Sequence, residues 1–344
     1  MLIWQMGLAQ TSQEMVNIWE HTDVRKKVLL TPYIAEGEFR EAPEHLTERK
    51  NNPCVIICPG GSYFWHDTDN EGVKVAEWLQ SNGISAFVLN YRTAYVPAFM
   101  FRTRLLVRGN QYPDPQNDLQ QAIRYIKEHS ALYGIDTTKV GAMGFSAGGH
   151  LVMSVAEKYD SPYSRPAFVA AIYPVVSFTA DCTHKRSRRG LLGEYGKNNK
   201  AKREALSLEK HVPADCPPVF LVNCVDDPIV DYRNSVLLDS ALTVQGVTHK
   251  YIQYKTGGHG FGASSEKGTQ ECRQWKEEFL NWLEEVYGLP SHSLSSLPLS
   301  LPLSLPLHIF PCHRTRNSKK ICLIKKKVVP LSPECLVSRC LILT

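Results

Sequence analysis

The stretch Val140-Gly141-Ala142-Met143-Gly144-Phe145-Ser146-Ala147-Gly148-Gly149-His150 decides how this chain is read. An apolar run from Val140 to Gly144 leads straight into Ser146, and His150–Lys158 continues with the look of a helix. Between them, Gly144, Ser146 and Gly148 carry the G-x-S-x-G spacing of a sharp strand-to-helix turn that lifts a serine hydroxyl above a sheet. Small residues two places before and after the serine are needed because so tight a turn leaves no room for a Cβ. The start of the following helix also offers backbone N–H groups to negative charge developing beside Ser146.

The same alternation of apolar run and amphipathic segment extends in both directions. Upstream, Pro53–Cys58 is a continuous apolar run closed by Pro59-Gly60-Gly61. Val73, Ala76 and Leu79 then recur at helical spacing within Asn70–Asn82, and Gly83 ends that segment. Ser85–Tyr91 is apolar again, and Pro115–Ser130 puts Leu119, Ala122, Ile123 and Ile126 on one helical face. Downstream come the apolar runs Phe168–Val176, Pro218–Val225 and Lys250–Tyr254, with a helix expected over Ser235–Val244 and a closing one over Thr269–Val286. Strands without polar alternation, separated by amphipathic helices, predict one doubly wound α/β domain: a mostly parallel sheet with helices on both faces, over 51–288. Two long stretches carry no such pattern. Arg92–Asp114 holds Arg102, Arg104 and Arg108, and Phe178–Pro213 holds Lys185-Arg186-Ser187-Arg188-Arg189. Both read as irregular, either covers over an active site or solvated surface excursions.

A serine turn of this kind needs donors for an oxyanion, a base and an acid. Pro59-Gly60-Gly61-Ser62-Tyr63 sits at the end of the first clear strand, where glycine lets backbone N–H groups of Gly60, Gly61 and Ser62 approach a reacting carbonyl. Twelve histidines compete for the base. His259, in Gly257-Gly258-His259-Gly260-Phe261-Gly262, follows a strand-like run and precedes the last helix, so its loop can overhang the sheet edge. His150, four residues after Ser146 on the same helix, suits packing, and His66, His129, His211 and His249 read as surface or loop residues. For the acid, Asp226 and Asp227 both stand at the end of the run closing at Val225. Asp227 is preferred, with Asp226 supporting the turn, and the choice stays open.

On these motifs the span from about Pro53 to Tyr287 resembles a bacterial carbohydrate esterase of the α/β-hydrolase superfamily, of the acetylxylan-esterase-like kind. The resemblance rests on Cys58-Pro59-Gly60-Gly61-Ser62-Tyr63, Glu71-Gly72 with Val75-Ala76 and Leu79, Asn90-Tyr91-Arg92, Gly144–Leu151, Asp226-Asp227-Pro228 and Gly257–Phe261. The order Ser146, Asp227, His259 is the nucleophile–acid–base order of that superfamily. The resemblance implies that these three form a triad, with the amides of Gly61 and Ala147 as oxyanion donors. The chain departs from relatives that carry His-Gly-Gly-Gly where it has Pro59-Gly60-Gly61-Ser62. Backbone donors survive that change, while the rigidity of the loop and the shape of the pocket stay open.

The activity expected is hydrolysis of short-chain carboxylic esters through an acyl-serine, with acetyl groups on plant polysaccharide favoured by the resemblance, and with no metal or organic cofactor. Tyr63, Phe64, Trp65 and Tyr95 are candidate wall residues for a small-molecule or carbohydrate ester, aromatic faces that suit sugars and cores alike. Two alternatives share the fold: a serine peptidase of the prolyl-oligopeptidase type, against which only about 50 residues precede the first core strand, and a non-catalytic binding protein on a hydrolase scaffold. A complete triad argues against the second.

Charge and composition narrow the partners. The formal net charge is +5, but from Leu289 to Thr344 eight Lys and Arg face one acid, a net of +7. The first 288 residues hold 31 bases against 33 acids, a net of −2, so the body has no nucleic-acid signature. The 289–344 tail repeats Leu-Pro-Leu-Ser through Leu297–Leu307, which no packed element tolerates, and is expected to be a disordered basic extension. Residues 1–50 are expected to form an N-terminal segment with an edge hairpin. Leu2-Ile3-Trp4 and Met6–Gln10 look like the end of a signal peptide without its charged start, which leaves a secreted or periplasmic location beside a cytoplasmic one. No apolar window reaches the length of a membrane span. Ten scattered cysteines without a CxxC pair form no disulfide or zinc framework; Cys54, Cys58 and Cys224 read as buried strand residues.

Overall fold

The computed structural model of the chain describes residues 14–24, 26–35, 52–94 and 109–287. They fall in the first of the chain's two units, Met1–Ser293; the second, Leu294–Thr344, lies outside them. Tyr95, the three arginines of the 92–114 stretch, the signal-like start and the 289–344 tail are also outside the described residues.

The strands are β1 (Val16–Asn17), β2 (Leu29–Tyr33), β3 (Asn52–Cys58), β4 (Ser85–Asn90), β5 (Ile135–Phe145), β6 (Val169–Ile172), β7 (Val219–Cys224) and β8 (His249–Tyr254). They form one sheet in the order β1-β2-β4-β3-β5-β6-β7-β8. The first two strands are an antiparallel hairpin, β2 runs antiparallel to β4, and every pairing from β4 onward is parallel. Ile56 of β3 stands opposite Phe87 of β4 on one side and Ala142 of β5 on the other, which places β3 and β5 in the middle.

Successive strand residues enter two different cores, and this is why the runs show no polar alternation. Cys54, Ile56 and Cys58 join Leu119, Ile123 and Ile126 of α2 (Asp114–Glu128) and Leu151 and Val155 of α4 (Ala147–Glu157). Val55 and Ile57 join Val75, Ala76 and Leu79 of α1 (Lys74–Ser81) and Trp275, Phe279 and Trp282 of α9 (Trp275–Tyr287) on the opposite face. Short α3 (Ser130–Tyr133) and α8 (Gln270–Arg273) precede β5 and α9, and α7 (Arg233–Val244) lies between β7 and β8. The six cysteines of the body are free and buried. No helix among the described residues is long and apolar enough to cross a membrane.

Two expectations need correction. The Phe178–Pro213 stretch is not irregular throughout: it folds as α5 (Lys185–Gly196), α6 (Lys200–Ala205) and a 3₁₀ turn at Leu208–Lys210. Helical periodicity is hidden there because the first turns are basic and Gly193, at φ 72° and ψ 178°, breaks the helix where a Cβ would meet Gln111 at 2.2 Å. The apolar run Phe168–Val176 yields a strand of only four residues, because the chain turns away at Tyr173 (φ 38°) before Pro174.

Parallel strands put the C-terminal ends of β3, β5, β6, β7 and β8 on one edge. The segments after Cys58, Phe145, Ile172, Cys224 and Tyr254 therefore converge there, at the place where open α/β sheets collect their ligands.

Candidate active site

Ser146 occupies the turn between β5 and α4 at φ 53° and ψ −113°, a conformation that side chains rarely adopt. The turn is forced by close packing. A Cβ on Gly144 would lie 2.1 Å from the carbonyl oxygen of Gly148, and one on Gly148 would lie 1.9 Å from that of Cys58. Three backbone bonds fix the serine: its N–H donates to Ile172 O (3.0 Å), and its carbonyl accepts from Val175 (3.1 Å) and His150 (3.2 Å).

His259 arrives from the loop after β8, with Nε2 2.9 Å from Ser146 Oγ and Nδ1 2.6 Å from Asp227 Oδ2. The Asp227 side chain is fully buried. Its other oxygen, Oδ1, accepts from the amides of Ile229 (2.8 Å) and Val230 (3.0 Å), which aims Oδ2 at the imidazole. Asp226 does not reach His259. Its two oxygens accept from the amides of Gly257 (3.2 Å) and Gly258 (2.8 Å), immediately before the histidine. The arrangement gives a hydroxyl a proton acceptor, and gives that acceptor a buried carboxylate that fixes its tautomer.

The turn after β3 lies against the serine. Among the described residues no backbone hydrogen bond engages the amides of Gly61, Ser62 or Ala147. Gly60 is different: its N–H donates to Glu71 Oε2 at 2.7 Å, so it is not available to an oxyanion, contrary to expectation. Ser62 and Tyr63 both adopt left-handed backbone (φ 58° and 64°), and Gly61, at φ 136°, packs where a Cβ would fall 2.0 Å from the Trp65 carbonyl oxygen.

Tyr63 is also a correction. Its ring is buried and its hydroxyl donates to His150 Nδ1 (2.9 Å), so it props the turn on α4 rather than lining a wall. His150 itself is buried, with Nε2–H donating to Leu206 O (3.0 Å) and its ring stacked 4.6 Å from Phe178. Burial lowers its pKa to about 4 and keeps it neutral. Phe64 is buried too, while Trp65 is 36% exposed and carries the Arg186 guanidinium 4.2 Å above its ring centroid. His184 joins the neighbourhood; burial, then the charges of His259 and Arg186, lower its pKa to about 4.

Sequence reading gave no role to Glu71 or to Tyr173, whose ring lies 4.7 Å from that of His259. Glu71 sits in a run of polar residues that reads as surface, and only its place in the resemblance motif singled it out.

A protein-family profile described as BD-FAE matches residues 43–242. An acetylxylan esterase of Xylanibacter ruminicola is 30% identical over 244 residues, 70% of this chain and 47% of that protein. Endo-1,4-beta-xylanase B of Butyrivibrio fibrisolvens is 30% identical over 265 residues, 73% of this chain and 38% of that protein. The chain thus spans about half or less of the length of these curated relatives. A solved structure, an acetyl ester-xyloside bifunctional hydrolase from Caldicellulosiruptor lactoaceticus, superposes with a TM-score of 0.66 at 31% identity, covering 80% of this chain and 96% of that one.

Proposed function

The chain belongs to the BD-FAE family of α/β-hydrolases, and from that membership we propose that it is a serine esterase acting on short-chain carboxylic esters, acetyl groups on carbohydrate foremost. One observation carries the reading: the unbroken path from Ser146 Oγ through His259 to the buried Asp227 carboxylate, at 2.9 and 2.6 Å. Ser146 Oγ attacks the ester carbonyl while His259 Nε2 takes its proton, and Asp227 stabilises the resulting imidazolium. The amides of Gly61 and Ala147 hold the tetrahedral oxyanion, donors whose individual loss typically costs on the order of 10²–10³ in rate. His259 then returns the proton to the departing alcohol oxygen, leaving an acyl-serine. Water, deprotonated by the same imidazole, adds to the acyl carbon, and collapse releases the carboxylic acid and restores the hydroxyl.

The acetyl and carbohydrate parts draw support from the acetylxylan esterase and the acetyl ester-xyloside hydrolase that the chain resembles. Trp65, 36% exposed with the Arg186 guanidinium over its ring, is the expected wall residue that stays accessible to a sugar. The test compares the protein with Ser146→Ala on p-nitrophenyl acetate and on acetylated xylan. Both activities should vanish with the fold retained; turnover by the variant would refute the serine mechanism, and turnover of p-nitrophenyl acetate without acetate release from xylan would refute the carbohydrate substrate.

A further inference from the structure

Glu71 lies in a single π-helical turn, Asp69–Val73, between the glycine turn after β3 and α1. Such turns break the regular ladder and recur at functional sites. A glutamate in a polar run belongs at the surface, yet this one is 3% exposed. Its two oxygens reach different parts of the site. Oε2 accepts from Gly60 N–H (2.7 Å), the residue that begins the candidate oxyanion turn. Oε1 accepts from the Tyr173 hydroxyl (2.8 Å), and that hydroxyl accepts in turn from Gly262 N–H (3.0 Å) on the loop that carries His259.

The packing leaves little slack in this strap. A Cβ on Gly60 would fall 2.6 Å from Glu71 Oε2 and 2.9 Å from the Ser146 Cβ. On the other side, Ala263 N–H donates to Asn70 O at 3.0 Å, so the glutamate's own turn is joined to the His259 loop.

We propose that Glu71 is a positioning residue for hydrolysis: its carboxylate ties the oxyanion turn to the base loop and sets a negative charge beside His259. The inference rests on the serine-esterase reading. The charge has a defined part to play, since the imidazolium forms only once Ser146 has given up its proton, and a nearby anion favours that state over the resting one. The titratable groups facing Glu71 are His259 from the base loop, Tyr173 from the segment after β6 and Asp67 from the preceding turn, the last paired with Lys267 at 3.6 Å. Burial pushes the carboxyl up to about 7, opposed first by the charge of His259 and then by the bonds from Tyr173 and Gly60, while Asp67 pushes it further up.

Two variants separate charge from geometry. Glu71→Gln keeps the shape and can accept from Gly60 while its amide donates to the Tyr173 oxygen, but it removes the charge. Tyr173→Phe keeps the carboxyl group, cuts the strap to Gly262 and removes one of the bonds that favour the charged form. For Glu71→Gln on p-nitrophenyl acetate, kcat should fall about tenfold or more with KM within about threefold. The acid limb of its kcat/KM profile should move to lower pH by about half a unit or more. Tyr173→Phe should lose kcat with the limb moved less than in Glu71→Gln. A Glu71→Gln enzyme with wild-type kcat and an unmoved limb overturns the inference. Should that variant fail to fold, Tyr173→Phe decides alone: reduced kcat supports the strap, and wild-type kcat overturns it. Ser146→Ala, run beside them, keeps the two readings apart, because hydrolysis by that variant defeats the serine mechanism, whereas an inactive Ser146→Ala with wild-type Glu71 variants defeats only the strap.

Discussion

Asp226 and Asp227 are neighbours in the chain, yet they hold the His259 loop by different handles, Asp227 by the imidazole Nδ1 at 2.6 Å and Asp226 by the amides of Gly257 and Gly258. Asp227→Asn keeps its carbonyl oxygen on the Ile229 and Val230 amides, turns an N–H donor to Nδ1 and so favours the wrong tautomer, and should lower kcat by on the order of 10⁴. Asp226→Asn keeps one acceptor oxygen for the glycine amides and should cost about tenfold, the scale of a weakened neutral hydrogen bond. Steady-state kinetics on p-nitrophenyl acetate distinguish them; equal losses would mean that the two carboxylates do not divide the work.

Gly148→Ala should cost about 3 kcal/mol, the upper range for an inserted methyl that cannot be absorbed. Its Cβ would lie 1.9 Å from the Cys58 carbonyl oxygen, a backbone atom in the central strand, so α4 must lift off the sheet. Urea denaturation reads the stability and p-nitrophenyl acetate the displaced serine. A variant as stable as the parent would show that the elbow has room to relax.

The buried neutral histidines make the fold acid-sensitive. In the unfolded chain His150 takes up a proton near pH 6.5, whereas in the fold it resists until about 4. The unfolded state therefore binds more protons across that window. Stability is fully present above about 6.5 and declines as pH falls towards 4, by on the order of 3 kcal/mol from this one group. His150→Gln, which still offers a donor to Leu206 and an acceptor to Tyr63, should flatten the decline when unfolding free energies are compared between pH 7 and 4.5. An unchanged slope would assign the acid sensitivity to other groups.

Asp118 ties the N-terminal hairpin to the sheet. Its fully buried side chain accepts from Trp19 Nε1 (2.7 Å) and from the backbone N–H (2.8 Å) and Nε (2.9 Å) of Arg92. Asp118→Ala leaves the largely buried Arg92 charge with only the longer pair to Asp114, at 3.3 Å, and should destabilise the fold by about 3 kcal/mol. The shift of the urea midpoint measures it, and a loss below about 1 kcal/mol would show the hairpin to be held by packing instead.

The central strands could be read from the chain because β3, β4 and β7 are apolar on both faces, a pattern that only a doubly covered sheet explains. The serine turn was equally legible, since its glycines answer a steric demand that is local in sequence. What escaped is tertiary in origin. Tyr63 looks like a wall residue until its hydroxyl is seen to reach His150, which lies 87 positions away. Glu71 looks solvated until Tyr173, 102 positions on, proves to be its partner. α5 is hidden in the sequence because Lys185–Arg189 shows no apolar face and Gly190, Gly193 and Gly196 read as breaks.

Ser146 and His259 stand 113 positions apart, and the bond between them closes across β6, β7 and β8. Loop-closure entropy of that length must be overcome by the docking of the last strand. An intermediate that has formed β3 to β6 would have its serine turn in place and no base within reach. On the proposed mechanism hydrolysis reports on completion of the sheet, and recovery of activity during refolding should lag behind recovery of helical and sheet signal.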